Sequence, residues 1–477
     1  MSAATIAWIT IPFLVGFGIY LLPRLARTLS CGVALLSLGY GFWCLFTSES
    51  QTLELLDHFS VTLLIDALSG YFVLTNAIVT LAVIFYCWQQ QKSAFFYTQM
   101  TILHGSVNAV FICADLISLY VALEVISIAA FLLIAYPRSD RAIWVGLRYL
   151  FVSNIAMLFY LVGAILVYQA NQSFAFVGLA NAPPEAIALI GLGLLTKGGI
   201  FVSGLWLPLT HSEAETPVSA LLSGVVIKVG VFPLVRVALL VPEIEPLIRL
   251  FGVSTALLGV GYAMFEKDTK RMLAFHTVSQ LGFVLAAPPV GGFYALTHGL
   301  VKSALFLIAG NLPSRNLKEL KSVPLATPVW ITLAIASFSI SGFPLLSGFG
   351  AKVLTMKNLV PWQVVGMNVA AIGTAISFAK FIFLPHSNTE KATVKPGFWP
   401  AIVLLLSGLV IANGVYYEAY TIKTIIKPLL TIALGWLLYG LLIQRVIWKF
   451  PRYFEQFDHL IGVMSLMLTV LFWLGVV

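Results

Sequence analysis

Six side chains able to hold or pass on a proton stand inside otherwise apolar stretches of this sequence. They are Glu124 in "LYVALEVISIAAF", Lys197 in "LGLLTKGGIF", Lys228 in "LLSGVVIKVGVFPLV", His298 and Lys302 in "YALTHGLVKSALFLIAG", and Lys352 in "LLSGFGAKVLTM". His298 and Lys302 are four residues apart and share one helix face. A row of lysines with one glutamate suits proton relay. Burial lowers a lysine's pKa and raises a glutamate's, an opposite charge pushes each back, and so one group can switch protonation when its neighbour's charge changes. Asp66, His104, His276 and Lys380 lie nearer the ends of apolar runs, and there the expected roles are structural. Asp66 would be an acid at a helix entry, His104 and His276 would join helices by hydrogen bonds, and Lys380 sits close to a helix end.

The elements that must position these groups are membrane spans. Of 477 residues, 60% are hydrophobic and 10% charged, with mean hydropathy +0.98. A soluble chain is roughly a quarter charged, so this one is an integral membrane protein of the all-α class. A charge at mid-bilayer costs roughly 2.5–3.5 kcal/mol on insertion scales. Glu124, Lys197, Lys228, Lys302 and Lys352 would together cost on the order of 12–17 kcal/mol if charged and lipid-facing, which rivals the stability of a whole domain. They must face a hydrated interior, pair with one another, or lose their charge.

Apolar runs long enough to cross a bilayer fall near 3–22, 28–47, 67–88, 95–113, 115–136, 142–168, 186–207, 217–240, 247–265, 271–287, 291–311, 326–342 with a continuation at 346–359, 363–385, 397–417, 423–443 and 457–476. Counting 326–359 as one interrupted span gives sixteen, within an expected 14–16. Loops after odd-numbered spans carry Arg24 and Arg27, Lys92, Arg138 and Arg141, Lys267 with Lys270 and Arg271, Arg315 with Lys318 and Lys321, Lys391 and Lys395, and Arg445 with Lys449 and Arg452. Loops after even spans carry Glu49, Glu54 and Asp57, then Glu185, then Glu243 and Glu245. Glu213 and Glu215 after span 7 break the pattern, as do Lys423 and Lys427 near span 15. By the positive-inside rule the odd loops are cytoplasmic and both termini lie on the opposite side, in a bacterial plasma membrane or a thylakoid. The first span lacks a basic leader and a cleavage site, which reads as a retained span.

Two lysines sit in interrupted spans. Gly198 and Gly199 follow Lys197, with Pro208 further on, and Gly342, Pro344, Gly348 and Gly350 precede Lys352. Broken backbone at membrane depth is tolerated where a cavity or neighbouring protein satisfies it. Interruptions in corresponding places of two halves point to inverted repeats, and the two lysines lie five spans apart, an odd offset that inverts the second copy. The expected organisation is N-terminal helices over 1–90, a first repeat over 91–240, a second over 241–390, each a proton half-channel, and C-terminal helices over 391–477. In "AETPVSALLSG", Thr216 would cap span 8, Pro217 would occupy its first turn, and Ser219, Ala220, Ser223 and Gly224 would admit a close helix neighbour.

Other chemistries find little support. Cys31, Cys44, Cys87 and Cys113 fall singly in apolar runs, so iron–sulfur, zinc and haem ligation are not indicated. "HSEAE" (211–215) lies in a loop beyond the span and lacks helical metal-ligand pairing. No cofactor or metal is expected. No conspicuous nucleophile site favours an acyltransferase, and the formal charge of +8 is scattered without the basic stripe a nucleic-acid surface needs. With no long soluble loop, the chemistry belongs inside the bilayer.

Five segments in order, "LEVISIAAFLLIAY", "TKGGIF…LWLPLTHSEAETPVSALLSGVVIKVGVFPLVR", "KDTKRMLAFHTVSQLGFV", "THGLVKSALFLIAGNL" and "SGFPLLSGFGAKVL", resemble the proton-conducting antiporter-like family over residues 60–385. That family comprises the pump subunits of the complex I membrane arm and the large subunits of Mrp-type sodium/proton antiporters. Size and the lack of a long lateral helix look more like the D-type member of the Mrp assembly, or the cyanobacterial D-type proteins encoded beside Mrp genes. The resemblance implies that Glu124 partners Lys197, that Lys228 is the central connecting lysine, that His298 and Lys302 form the relay of span 11, and that Lys352 exchanges protons with one side. Departures are Gly204 where a histidine is usual, Val202 where a proline is usual, His276 where a small residue is common, and two spans beyond the usual fourteen. The function so implied is that of a proton-translocating subunit of a multisubunit sodium/proton antiporter, working with partner membrane subunits. The alternative is a pump module, without its own redox centre, of a complex I-like NAD(P)H or ferredoxin:quinone oxidoreductase.

Overall fold

The computed structural model describes residues 2–47, 49–55, 61–390, 393–445 and 451–476. Asp57, Lys391 and Lys449 lie outside them. Among the described residues, thirteen helices are long and apolar enough to cross a membrane. Ala94–Val110, Thr269–Ala286 and the pair Thr327–Ser341 and Ser347–Lys357 stand where spans 4, 10 and 12 are expected, which makes the sixteen.

Contacts between loops sort by parity. After spans 2, 4 and 6, the hairpin Gln51–Glu54/Thr62–Ile65 and the bridges Leu63–Cys113 and Asp115–Ala175 join the even loops. Further along, Arg249 gathers the Ala286 and Asn358 carbonyls at 2.7 and 3.0 Å. On the opposite face, Asp268 bridges to Asn316, and Leu325–Ala326 pairs in parallel with His386–Ser387. The acidic exceptions after span 7 are neutralised there by bases of other odd loops: Glu215 meets Lys92 at 2.6 Å and Glu213 meets Arg141 at 3.6 Å. Those two carboxylates therefore leave the charge asymmetry of the odd face intact.

Burial divides the spans by role. The most apolar 18-residue windows of spans 8 and 11 are 100% buried, against 17% for span 15. Spans 1, 2, 15 and 16 thus lie at the outside of the bundle, while the helices bearing Lys228, His298 and Lys302 form the centre. Span 10 is buried over its whole length, Thr269–Ala286.

Both expected breaks are present. Span 7 runs as Pro184–Lys197, turns at Gly199 (φ +63°) and Phe201 (φ +54°), and resumes through Phe201–Trp206 into Leu207–Glu213. The released groups find partners: Trp206 Nε1 donates to the Thr196 carbonyl at 3.1 Å, and the Phe201 amide donates to Thr255 Oγ1 at 3.0 Å. Span 12 breaks at Gly342 (φ +86°) and Leu345 (φ +80°), where the Leu345 amide donates to Tyr420 OH at 2.8 Å. Two sequence expectations need correction here. Thr216 is itself the first helical residue of span 8 and makes no capping bond, since its side chain lies against Gly310 of span 11. His211 sits within the buried end of the span-7 helix, stacked on Phe306 at 4.9 Å between centroids, because the helix continues past Pro208, which occupies its first turn.

Candidate functional site: a buried line of ionisable groups

The Lys197 ammonium ends the first half of span 7 and crosses to span 5. It donates to Ser153 Oγ at 2.6 Å, to Ser127 Oγ, and to the Leu123 carbonyl at 3.3 Å. The Tyr149 ring lies 5.8 Å away. Leu123 and Ser127 flank Glu124 on its own helix, yet no ion pair joins Glu124 to Lys197 among the described residues, and Glu124 Oε1 is buried without a partner. The two groups are neighbours, with serines and a carbonyl holding the lysine in place of the carboxylate.

Gly198 meets span 8 directly. A Cβ on Gly230 would lie 2.2 Å from Gly198 N, so only glycine allows this approach. Two residues earlier on span 8 is Lys228, completely buried. Leu222–Val226 forms a wide turn in which the Ile227 amide reaches back five residues to Leu222 O at 3.0 Å. Such a bulge leaves carbonyls outside the ordinary helical ladder. Lys228 Nζ takes two of them, Gly224 O at 2.5 Å and Ser223 O at 3.4 Å. The small residues expected to admit a neighbour do so: Ser303 Oγ donates to Ala220 O at 3.1 Å, and a Cβ on Gly299 would lie 2.9 Å from Gly224 O and 3.4 Å from Lys228 Nζ.

Gly299 is the residue after His298, so the central lysine adjoins the span-11 pair. His298 is buried with both ring nitrogens unpartnered, and Lys302 Nζ donates to the Leu273 carbonyl of span 10. Span 10 then continues the line. Thr277 Oγ1 shares a 2.7 Å hydrogen bond with Ser223 of span 8. His276 departs from expectation. It makes no helix–helix hydrogen bond, both its nitrogens are buried and unpartnered, and its ring meets Phe378 at 4.6 Å. An aromatic neighbour offers no acceptor, so this imidazole is left with unspent hydrogen-bonding capacity.

Lys352 occupies the second half of broken span 12, folded over Gly342, with Nζ 5.5 Å above the Phe283 ring of span 10 and no hydrogen-bond partner. Buried hydroxyls of Ser337, Ser339, Ser341, Ser347 and Thr355 around the same break are also unpartnered. Lys352 and Ser341 line a cleft of about 200 Å³ that reaches Lys357, Thr424, Lys427 and Thr431. An ammonium with no acceptor can stand there only if water reaches it or if it is deprotonated. Lys427, which ran against the charge pattern, is thus part of the mouth of this cleft.

The structural roles assigned to three other residues hold. His104 bonds Ser37 Oγ at 2.8 Å and Thr80 Oγ1 at 3.1 Å. Asp66 caps span 3 by accepting from the Ser69 amide at 2.9 Å. Lys380 donates to the Ala263 and Glu266 carbonyls at the end of span 9, both at 3.0 Å. Sequence reasoning missed Arg236, which lies inside span 8 and forms a two-point pair with Asp66; the span boundary itself could have flagged it. It also missed Ser127 and Ser153, for which no sequence signal existed beyond Ser127 lying one helical turn from Glu124.

Four buried lysines, an imidazole and a carboxylate thus form a line through spans 5, 7, 8, 11 and 12, with helix breaks at both ends. Such an array can take up, hold and release protons at successive positions.

Two relatives illustrate the likeness in sequence. The D-type component of the Na(+)/H(+) antiporter of Alkalihalophilus pseudofirmus is 28% identical over 452 residues, covering 85% of this chain and 91% of its own length. The NAD(P)H-quinone oxidoreductase chain 4-2 of a Synechocystis species is 27% identical over 424 residues, covering 77% and 75%. In fold, a chain of the archaeal membrane-bound sulfane sulfur reductase superposes with TM-score 0.77 at 21% identity over 91% of this chain and 98% of that one. A chain of the Mrp complex from a Dietzia species does so with TM-score 0.77 at 22% identity, over 97% of this chain but 59% of that longer one. The model of the family described as NADH:quinone oxidoreductase/Mrp antiporter, transmembrane, matches residues 113–377, which hold all six candidate residues, and the chain belongs to that family.

Proposed function

We propose that this chain is a proton-translocating subunit of a multisubunit monovalent cation/proton antiporter, with sodium as the exchanged cation. The observation that carries the reading is the buried line itself. Lys197, Lys228, Lys302 and Lys352 are each at most 6% exposed and are linked through Gly198–Gly230, Gly299 and span 10. Groups so buried are rare in membrane spans and mark ion or proton pathways.

In this reading Glu124 and Lys197 form the switch. While the Lys197 ammonium is paired with the carboxylate, each charge stabilises the other; when the ammonium sits on Ser127 and Ser153 instead, the carboxylate is free to take a proton and the ammonium can pass its own toward Lys228. Lys228, His298 and Lys302 carry the charge across the centre, and Lys352 releases it through the cleft beside span 12. Residues 91–240 and 241–390 supply one half-channel each. Partner membrane subunits carry the cation site. Odd loops face the cytoplasm and both termini the opposite side, in a bacterial plasma membrane or a thylakoid.

A second reading, the pump module of a complex I-like oxidoreductase, is favoured by the likeness to a quinone oxidoreductase chain. The test uses inverted vesicles carrying the whole gene cluster and a pH-sensitive dye. Sodium-dependent dequenching that is lost in Lys197→Ala supports the antiporter. Proton uptake that needs a reductant and ignores sodium supports the redox pump. Unchanged transport in Lys197→Ala removes the relay from both.

A further inference from the structure

At the odd-loop face, the ends of spans 9, 13 and 15 enclose a crevice of about 280 Å³ lined by Lys267, Lys318, Lys321, Lys380 and Arg445. Glu266 is its only carboxylate among the lining residues, and Arg271 already engages that group at 3.1 Å. None of Lys267, Lys318, Lys321 and Arg445 has an acidic partner within 4.0 Å among the described residues. Lys380 forms a built floor: it is 8% exposed, and two of its three ammonium protons are fixed on the Ala263 and Glu266 carbonyls. Apart from Gln444 the remaining lining is apolar or aromatic, and includes Met264, Tyr439 and Ile443.

We infer that this crevice holds the phosphate of one anionic phospholipid, with its acyl chains running down the lipid-facing side of span 15. Five cations around one carboxylate suit a phosphodiester, and basic pockets between spans on the cytoplasmic side are of the kind that receive anionic headgroups. A lipid, unlike free phosphate, also places methylenes on Met264, Tyr439 and Ile443. The site has a structural purpose. Span 15 lies beyond the matched family region, and its apolar window is only 17% buried. Span 15 contributes Tyr439, Ile443 and Arg445 while spans 9 and 13 contribute Met264, Lys267 and Lys380, so the headgroup joins the added helix to the second repeat.

The full chain, purified with its co-expressed partners and stripped of lipid, is titrated by native mass spectrometry with phosphatidylglycerol, with phosphatidylcholine of the same acyl chains, and with inorganic phosphate. The expected result is retention of one phosphatidylglycerol, at least tenfold weakened in Lys318→Gln/Lys321→Gln/Arg445→Gln and unchanged in Lys423→Gln at the far end of span 15. These side chains are exposed, so the variants should keep the fold, which the melting temperature of the lipid-free protein checks. Equal retention of both lipids, undiminished retention in the triple variant, or displacement of phosphatidylglycerol by inorganic phosphate would each overturn the inference.

Discussion

Lys197 docks on the turn of span 5 that carries Glu124 and leaves the carboxylate aside, bonding instead to Leu123 O, Ser127 Oγ and Ser153 Oγ. The serines therefore hold the ammonium where it stands, and in the proposed switch the carboxylate offers the other position. Hydrogen bonds to charged groups are worth about 1.5–3 kcal/mol each, enough to bias a side-chain swing by tenfold or more. In Ser127→Ala/Ser153→Ala the lysine should move onto Glu124 and the switch should lock. Sodium-driven proton movement in vesicles should then fall at least tenfold while the melting temperature holds. Wild-type flux in this variant would show that the serines are passive.

Gly230 and Gly198 set the separation of spans 7 and 8. A methyl group on Gly230 would come within 2.5 Å of the Gly198 Cα as well as its amide. Overpacking of this kind costs about 1–3 kcal/mol. Gly230→Ala should lower the melting temperature in detergent by several degrees and slow transport, whereas Gly18→Ala, where a Cβ meets nothing within 4 Å, should do neither.

The Lys352 cleft opens toward the even-loop face. Thiol labelling tests both the opening and the parity of the loops. In Ser341→Cys and Thr431→Cys, a membrane-impermeant thiol reagent should react in right-side-out vesicles and much more slowly in inverted ones. The four native cysteines, three of them buried, make a low background. Faster labelling from the inverted side would reverse the assigned orientation.

Asp66 holds Arg236, a guanidinium that also donates to Ser69 Oγ at 2.9 Å inside the bundle. Removing one member of a buried pair leaves an uncompensated charge and costs about 3–5 kcal/mol. Asp66 is partly accessible, so the lower end applies. Asp66→Asn should reduce the amount of folded protein recovered, and Asp66→Asn/Arg236→Met should restore much of it. No recovery in the double variant would mean that Arg236 has a role besides the pair.

Much of the fold is legible in the residues alone. Alternation of basic and acidic loops fixed which loops share a face, and the ion pairs Lys92–Glu215 and Arg315–Asp268 lie between loops of the same parity. Glycine and proline around Lys197 and Lys352 located both helix breaks. His276 was misread because a histidine in a helix carries no mark of what faces it; Phe378, about a hundred positions away, decides that. Ser153, the nearest acceptor for Lys197 after Ser127, is likewise invisible, since it comes from a different span whose hydroxyls look alike in sequence.

The sequence by itself determined that the chain lives in a bilayer, that it crosses it many times, and that charged groups stand where lipid would penalise them. Those conclusions follow from hydropathy and charge, which belong to each residue and its near neighbours. Only the tertiary structure decided which acceptor each ammonium takes: serines for Lys197, carbonyls freed by a wide turn for Lys228, a span-10 carbonyl for Lys302 and none for Lys352. Hydrogen bonds act over about 3 Å, and the partners that satisfy them come from helices far apart in the chain, so packing sets what the pattern of residues leaves open.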